Sequence, residues 1–360
     1  MDNLNTNILP SGQVTEKPDK SERSDIRKKY NLTAFVIIMN IVIFNYISRA
    51  VIYGIASLSS MSIDINEIHN SVVKMMDNYL ISIICSVGIP ICSETFAILL
   101  GSRILKLNIK ELFTFTGFNG KSVCKLATVS LGLQAASAVV GALIAEILKN
   151  FNLQIITPEF TPQNTAFLPN FILYMYICII GPVLEELLYR GVLLQSLKKY
   201  NNTFAIVVSA LIFGMMHQNI FQCILGISIG IPLAMLTLKS DSIVPAIFTH
   251  IIVNTSASVI SLLFLSDGGT VYQKMLENKV VPTSGLPLVG LIIAFIWRFG
   301  FLIAGGIVGI VGLVKGFGLK KPTLAGKSRS WPVLFTCVLW YLVFAFYIYQ
   351  NTFGCIGKIE

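Results

Sequence analysis

Residues 168–190 read LPNFILYMYICIIGPVLEELLYR, and the first seventeen of these 23 positions carry no Asp, Glu, Lys or Arg. About 20 consecutive apolar residues make a helix that crosses the ~30 Å hydrocarbon core of a bilayer, so this stretch reads as a membrane span that ends in a charged cluster. Similar apolar blocks lie at approximately 32–57, 79–101, 126–148, 203–217, 220–238, 243–265, 286–314 and 331–350. The expected fold class is therefore all-α, a polytopic transmembrane helical bundle of eight or nine spans. Two blocks leave the count open: 203–217 is short, and 286–314 is long and carries Arg298 in its middle.

Composition excludes the other classes. Of the 360 residues 54% are hydrophobic and 12% charged, against roughly 25% charged in a soluble domain. The net charge of +9 comes from lysines and arginines gathered in short connections, where they orient membrane helices and do not mark a nucleic-acid surface. Arg27–Lys29, the group from Arg103 to Lys125, Lys198–Lys199, Lys239 and the group from Lys315 to Arg329 fall in every second connection and so on one side, with neutral to acidic connections between. Nine spans with a cytoplasmic amino terminus and an outside carboxyl terminus satisfy every loop. Residues 1–30 read as a disordered cytoplasmic tail, 31–165 as N-terminal membrane helices, 166–266 as the core with the charged motifs, and 267–360 as C-terminal membrane helices. The Arg27–Lys29 run abuts an apolar block too long for a signal peptide, so the first span is expected to stay in the mature protein. The seven cysteines (85, 92, 124, 178, 223, 337 and 355) lack metal-type spacing and read as packing residues.

An ionised side chain in the bilayer core costs at least ~2.5–3.5 kcal/mol on insertion scales, so each one there needs a partner, a wet cavity or a function. Arg49 and Glu146 lie near span ends and read as reaching the interface, while His69 lies in the outer loop 58–78. Glu94 and Arg298 are deeper, and either pair with each other or line a cavity. The remaining five crowd into three consecutive stretches. In Glu185-Glu186-Leu187-Leu188-Tyr189-Arg190 the second glutamate and the arginine are four apart, a spacing that lets a carboxylate meet a guanidinium. Arg190 is then expected to neutralise and orient Glu186, leaving Glu185 as a base. Phe213-Gly214-Met215-Met216-His217 ends the next span, and His250…Asn254 shares one helix face two spans later. Carboxylates, imidazoles and a carboxamide are the groups that deprotonate water and hold an oxyanion. Proton-coupled transporters use the same residue types, but here they cluster at one depth and not along a path.

The ordered set EExxxR, FxxxH and HxxxN, over roughly 165–265, resembles the CPBP family: the type II CAAX prenyl endopeptidases and bacteriocin-processing (Abi) intramembrane proteases. The resemblance implies that Glu185 activates the attacking water, that Glu186 with Arg190 supports it, that His217 contributes to the site, and that His250 with Asn254 stabilises the oxyanion. It also implies a peptide or lipid-modified protein as substrate and a multi-pass place in the cell membrane. Bacterial relatives used in self-immunity or as scaffolds supply the alternative, a non-proteolytic membrane factor. The family's metalloprotease name raises zinc: Glu185, His217 and His250 supply a His₂Glu set of the right count. The histidines, however, are on different spans and His250 is paired with Asn254, a better oxyanion donor than zinc ligand, so a site without a metal cofactor is favoured over a zinc site.

Overall fold

The computed structural model describes residues 20–114, 119–155, 167–198, 201–264, 285–315, 333–352 and 356–358. All nine apolar blocks are occupied by helix, and the all-α membrane bundle is the observed fold. The chain opens with α1, a rod that runs as Lys20–Val42, a π turn Ile43–Ile47 and Ser48–Ser60. Then come α2 (Ile65–Met76), α3 (Tyr79–Ile104) and α4 (Gly120–Lys149). The central rod α5 spans Phe167–Lys198, and α6 (Asn202–Met215), α7 (Ile220–Ser240) and α8 (Val244–Phe264) complete the core. Two further helices follow, α9 (Gly285–Lys315) and α10 (Val338–Thr352).

The helix starts are legible chemistry. Asp64, Asn78, Asn119, Asn201 and Asn219 each precede a helix in extended conformation and accept hydrogen bonds from its first free backbone N–H groups. This is why short polar residues mark the breaks between apolar blocks. With 14 residues, α6 is only about 21 Å long, too short for the full hydrocarbon thickness. It is instead a core helix: Phe204, Ala205, Val208, Ile212 and Phe213 are all fully buried. The C-terminal helix α9 crosses α4 at two glycines, where a Cβ on Gly132 would lie 2.7 Å from the Phe301 carbonyl oxygen and 2.8 Å from Gly305 Cα. Such close backbone approach is how membrane helices gain packing without a hydrophobic driving force.

One expectation is corrected. The tail assigned to 1–30 is shorter, because residues from Lys20 onward are the first turns of α1. Ile26 and Tyr30 are fully buried; Tyr30 stacks on Phe204 with ring centres 5.1 Å apart, and Trp340 Nε1 donates to the Tyr30 carbonyl at 3.1 Å. A stretch poor in apolar residues is thus fixed by two well-placed ones and a partner helix from the other end of the chain. Residues 1–19 lie outside the described residues. Beside the helices lies a two-stranded antiparallel ladder, β1 (Leu153–Ile155) with β2 (Ile356–Lys358), whose register pairs Gln154 with Gly357. The ladder puts the segment after α4 and the segment after α10 on the same side of the bundle.

Candidate active site

The site is organised by the irregularity of α5. Its regular turn Gly181–Glu186 lies between two π turns, Tyr176–Ile180 and Leu187–Leu194. Pro182 has no N–H, so in a π-type ladder the carbonyl five residues earlier, that of Ile177, loses its partner. Asn254 of α8 replaces it: Nδ2 donates to the Ile177 oxygen at 3.0 Å. One amide hydrogen of Asn254 is thereby spent on bracing α8 against α5, which aims the second.

The charged residues are sealed between helices. Glu186 and Arg190 have fully buried side chains, and Arg190 Nη1 lies 3.0 Å from Glu186 Oε1. Arg190 Nη2 donates to the Gly230 carbonyl at 3.2 Å, and its guanidinium carbon lies 4.3 Å from the Phe213 ring centre. The ring of His250 bridges the two glutamates: Nδ1 is 3.0 Å from Glu186 Oε1 and Nε2 is 3.5 Å from Glu185 Oε2. The second contact is long and weak. Exposure separates the two acids, since the Glu185 side chain is 11% exposed while that of Glu186 is 0%.

Phe213 explains the first letter of FxxxH. Its ring meets Arg190 and takes edge contacts from His217 at 5.4 Å and His250 at 5.5 Å. One aromatic ring thus gathers three of the polar side chains. His217 itself sits in the turn just after α6, half-buried, with Nδ1 3.0 Å from the Phe213 carbonyl oxygen and Nε2 left for other use. What places Phe213 and His217 is the crossing of α6 and α7, where a Cβ on Gly226 would lie 2.7 Å from Gly214 Cα. At Gly214 a Cβ would lie 2.5 Å from the Cys223 carbonyl oxygen. Gly214→Val is expected to cost at least ~1–3 kcal/mol by overpacking against backbone that cannot yield. A lowered melting temperature of the purified protein, with His217 function lost in parallel, checks this.

Of the six sequence-derived site residues, Glu185, Glu186, Arg190 and His250 converge directly; His217 joins them through Phe213, and Asn254 stands one turn from His250 and touches α5. Of the zinc ligand set, Glu185 and His250 approach each other, while the His217 ring lies against Phe213. Among the described residues no group of three or more His, Cys, Asp or Glu side chains converges tightly enough to hold a metal ion. Glu186 engages Nδ1 of His250, and the other ring nitrogen, Nε2, faces Glu185. Elsewhere, the suggested Glu94–Arg298 pair is not formed: Glu94 is buried, while Arg298 is exposed on α9. Glu146 and Arg49 are exposed, Glu146 lying 3.4 Å from Lys149. His69 is exposed beside the Tyr53 hydroxyl at 3.1 Å.

EExxxR lies on α5, FxxxH at the end of α6 and HxxxN on α8, and the comparisons match these three helices. Residues 167–256 match the family model described as Type II CAAX prenyl endopeptidase Rce1-like. The chain is also 33% identical over 85 residues to "Putative membrane peptidase YdiL" of Bacillus subtilis (strain 168), across 23% of this chain and 35% of that protein. The matched residues run from α5 into α8, carry all three motifs and are similar to the CPBP family of membrane proteases. The matched region spans about a third of the length of that curated relative. No solved structure matches the chain.

Proposed function

We propose that the chain is an intramembrane endopeptidase in which Glu185 activates water to cleave a peptide or lipid-modified protein. The observation that carries this reading is the asymmetry of the two glutamates. Glu186 is fully buried and committed through Oε1 to Arg190 and His250, whereas Glu185 is partly exposed and its one close polar contact is the 3.5 Å approach of His250 Nε2. Glu185 takes a proton from water while the oxygen attacks the scissile carbonyl carbon. The oxyanion receives the free hydrogen of Asn254 Nδ2 and, when protonated, His250 Nε2, whose long contact with Glu185 is readily exchanged. Glu185 then passes its proton to the amide nitrogen as the C–N bond breaks. His217 Nε2 is available to hold the same water or the peptide beside it.

The reading uses no metal, in keeping with the scattered donors. Activity that survives exhaustive chelation, with elemental analysis showing no stoichiometric zinc, is the expected result; zinc lost and restored together with activity would overturn it. A scaffold or immunity factor built on the same fold would keep its cellular phenotype when Glu185 is replaced by glutamine, so that substitution separates the two functions.

The same reading places the amino terminus in the cytoplasm and the carboxyl terminus outside. The loop charges support it, and so does the β1–β2 ladder, which fixes both segments to one side. Cysteines introduced at Thr165 and Gly269, outside the described residues, are expected to label from outside, and those at Asn119 and Ser328 from inside. Labelling of Gly269 from the cytoplasm alone would remove a span and reverse the carboxyl terminus.

A further inference from the structure

Glu94 lies outside all three motifs, yet the packing of α3 on α5 brings it to the cleavage site. The two helices run side by side in the same direction with a constant register. Near their starts Tyr79 Oη donates to Asn170 Oδ1 at 2.6 Å. In the next turns Ile83 and Val87 pack with Leu173 and Tyr176. Near their far ends a Cβ on Gly101 would lie 2.6 Å from Val192 Cγ1. The first and last of these pairs are offset by the same 91 positions in sequence, and so are Glu94 and Glu185. Glu94 stands two turns before Gly101, as Glu185 stands two turns before Val192, so their side chains project into the same interface. The two carboxyls interact electrostatically, and Tyr176 interacts with both.

Glu94 is 2% exposed, and its Oε2 has no hydrogen-bond partner, as is also true of Glu185 Oε2. Leaving a buried carboxyl oxygen unpaired is costly, and a structural helix contact at this point would be better served by leucine. Its partner is not Arg298, which faces outward, nor Arg190, which is committed to Glu186, Gly230 and Phe213. Two carboxyl oxygens without hydrogen-bond partners on facing helices are acceptor-rich surroundings that can hold a water by its two hydrogens.

We propose that Glu94 is a further residue of the catalytic site, which with Glu185 holds the attacking water between α3 and α5. The proposal rests on the hydrolytic reading above. Glu94 accepts the hydrogen bond of the O–H that stays with the oxygen, while Glu185 receives the other proton. The oxygen then bonds to the carbonyl carbon, and the proton later moves from Glu185 to the leaving nitrogen. Glu94 gains and loses no bond.

The experiment uses the full chain in detergent, with melting temperature and cleavage of a pooled library of quenched fluorescent membrane peptides as readouts. Glu94→Leu is expected to melt at or above the wild-type temperature, because an unpaired buried carboxyl is gone, and to lose about tenfold or more in kcat with KM little changed. Glu94→Gln keeps a carbonyl acceptor for the water and is expected to recover most of that rate. An unchanged kcat for Glu94→Leu, or a Glu94→Gln rate as low as that of Glu94→Leu, would overturn the role. Melting temperatures of the single and double variants Glu94→Leu and Glu185→Gln give a test independent of cleavage, because contacting residues are not additive. Additive shifts would overturn the inference and leave the hydrolytic reading standing. Non-additive shifts in a protein that cleaves nothing would overturn the hydrolytic reading, and the water-holding role with it, while the pairing of the two carboxyls stands.

Discussion

Replacing Glu185 by glutamine is expected to leave abundance and melting temperature near wild type and to lower peptide cleavage by ~10²-fold or more, the contribution of a positioned general base. The amide keeps the size and one acceptor of the carboxylate but takes no proton from water. Structure should hold because Glu185 is the less committed of the paired acids: its one close polar contact is the 3.5 Å approach of His250 Nε2. The fold does not depend on it as it depends on Glu186. Glu186→Gln, by contrast, weakens contacts with both Arg190 and His250 and is expected to lower stability together with activity. Activity assays normalised to folded protein distinguish the two.

Arg190→Ala is expected to have the largest effect on stability, a loss of ~3–5 kcal/mol, because it strands the buried carboxylate of Glu186 without its cation. The arginine also donates to the Gly230 carbonyl and covers the Phe213 ring, so the loss reaches α7 and α6 as well as α5. Arg190→Lys restores the charge but not the planar fork that makes these contacts at once, and should fall between wild type and alanine. Folded yield and melting temperature of the three proteins check the order. Equal stability for wild type and Arg190→Ala would show that the ion pair does not hold α5 in place.

Much of this was readable in the sequence, for definite reasons. The apolar blocks gave the helices because a bilayer allows few other structures. The i, i+4 spacing of Glu186 and Arg190 and of His250 and Asn254 put side chains on common faces. The π turns flanking Gly181–Glu186 were not legible, since widening a helix by one residue leaves no periodic trace in a uniformly apolar segment. Pro182 was the available hint, and its missing N–H explains why Asn254 is directed to Ile177. Burial of the first turns of α1 escaped notice because it depends on Trp340 and Phe204, residues more than 170 positions away. Glu94 was visible as a deep charge, but its neighbour was not. Tertiary register, set by contacts such as Tyr79–Asn170 and Gly101–Val192, places it against Glu185 and leaves Arg298 on the outer surface.

The central claim is hydrolysis by a water that Glu185 activates. Purified full-length protein and its Glu185→Gln variant, incubated in oxygen-18 water with membrane peptides of the host and followed by mass spectrometry, test it most directly. The expected result is new peptide carboxyl termini, each carrying oxygen-18 from the solvent, in the wild-type sample and their near absence with the variant. Identical peptide sets in both samples, whether cleaved or intact, would contradict it.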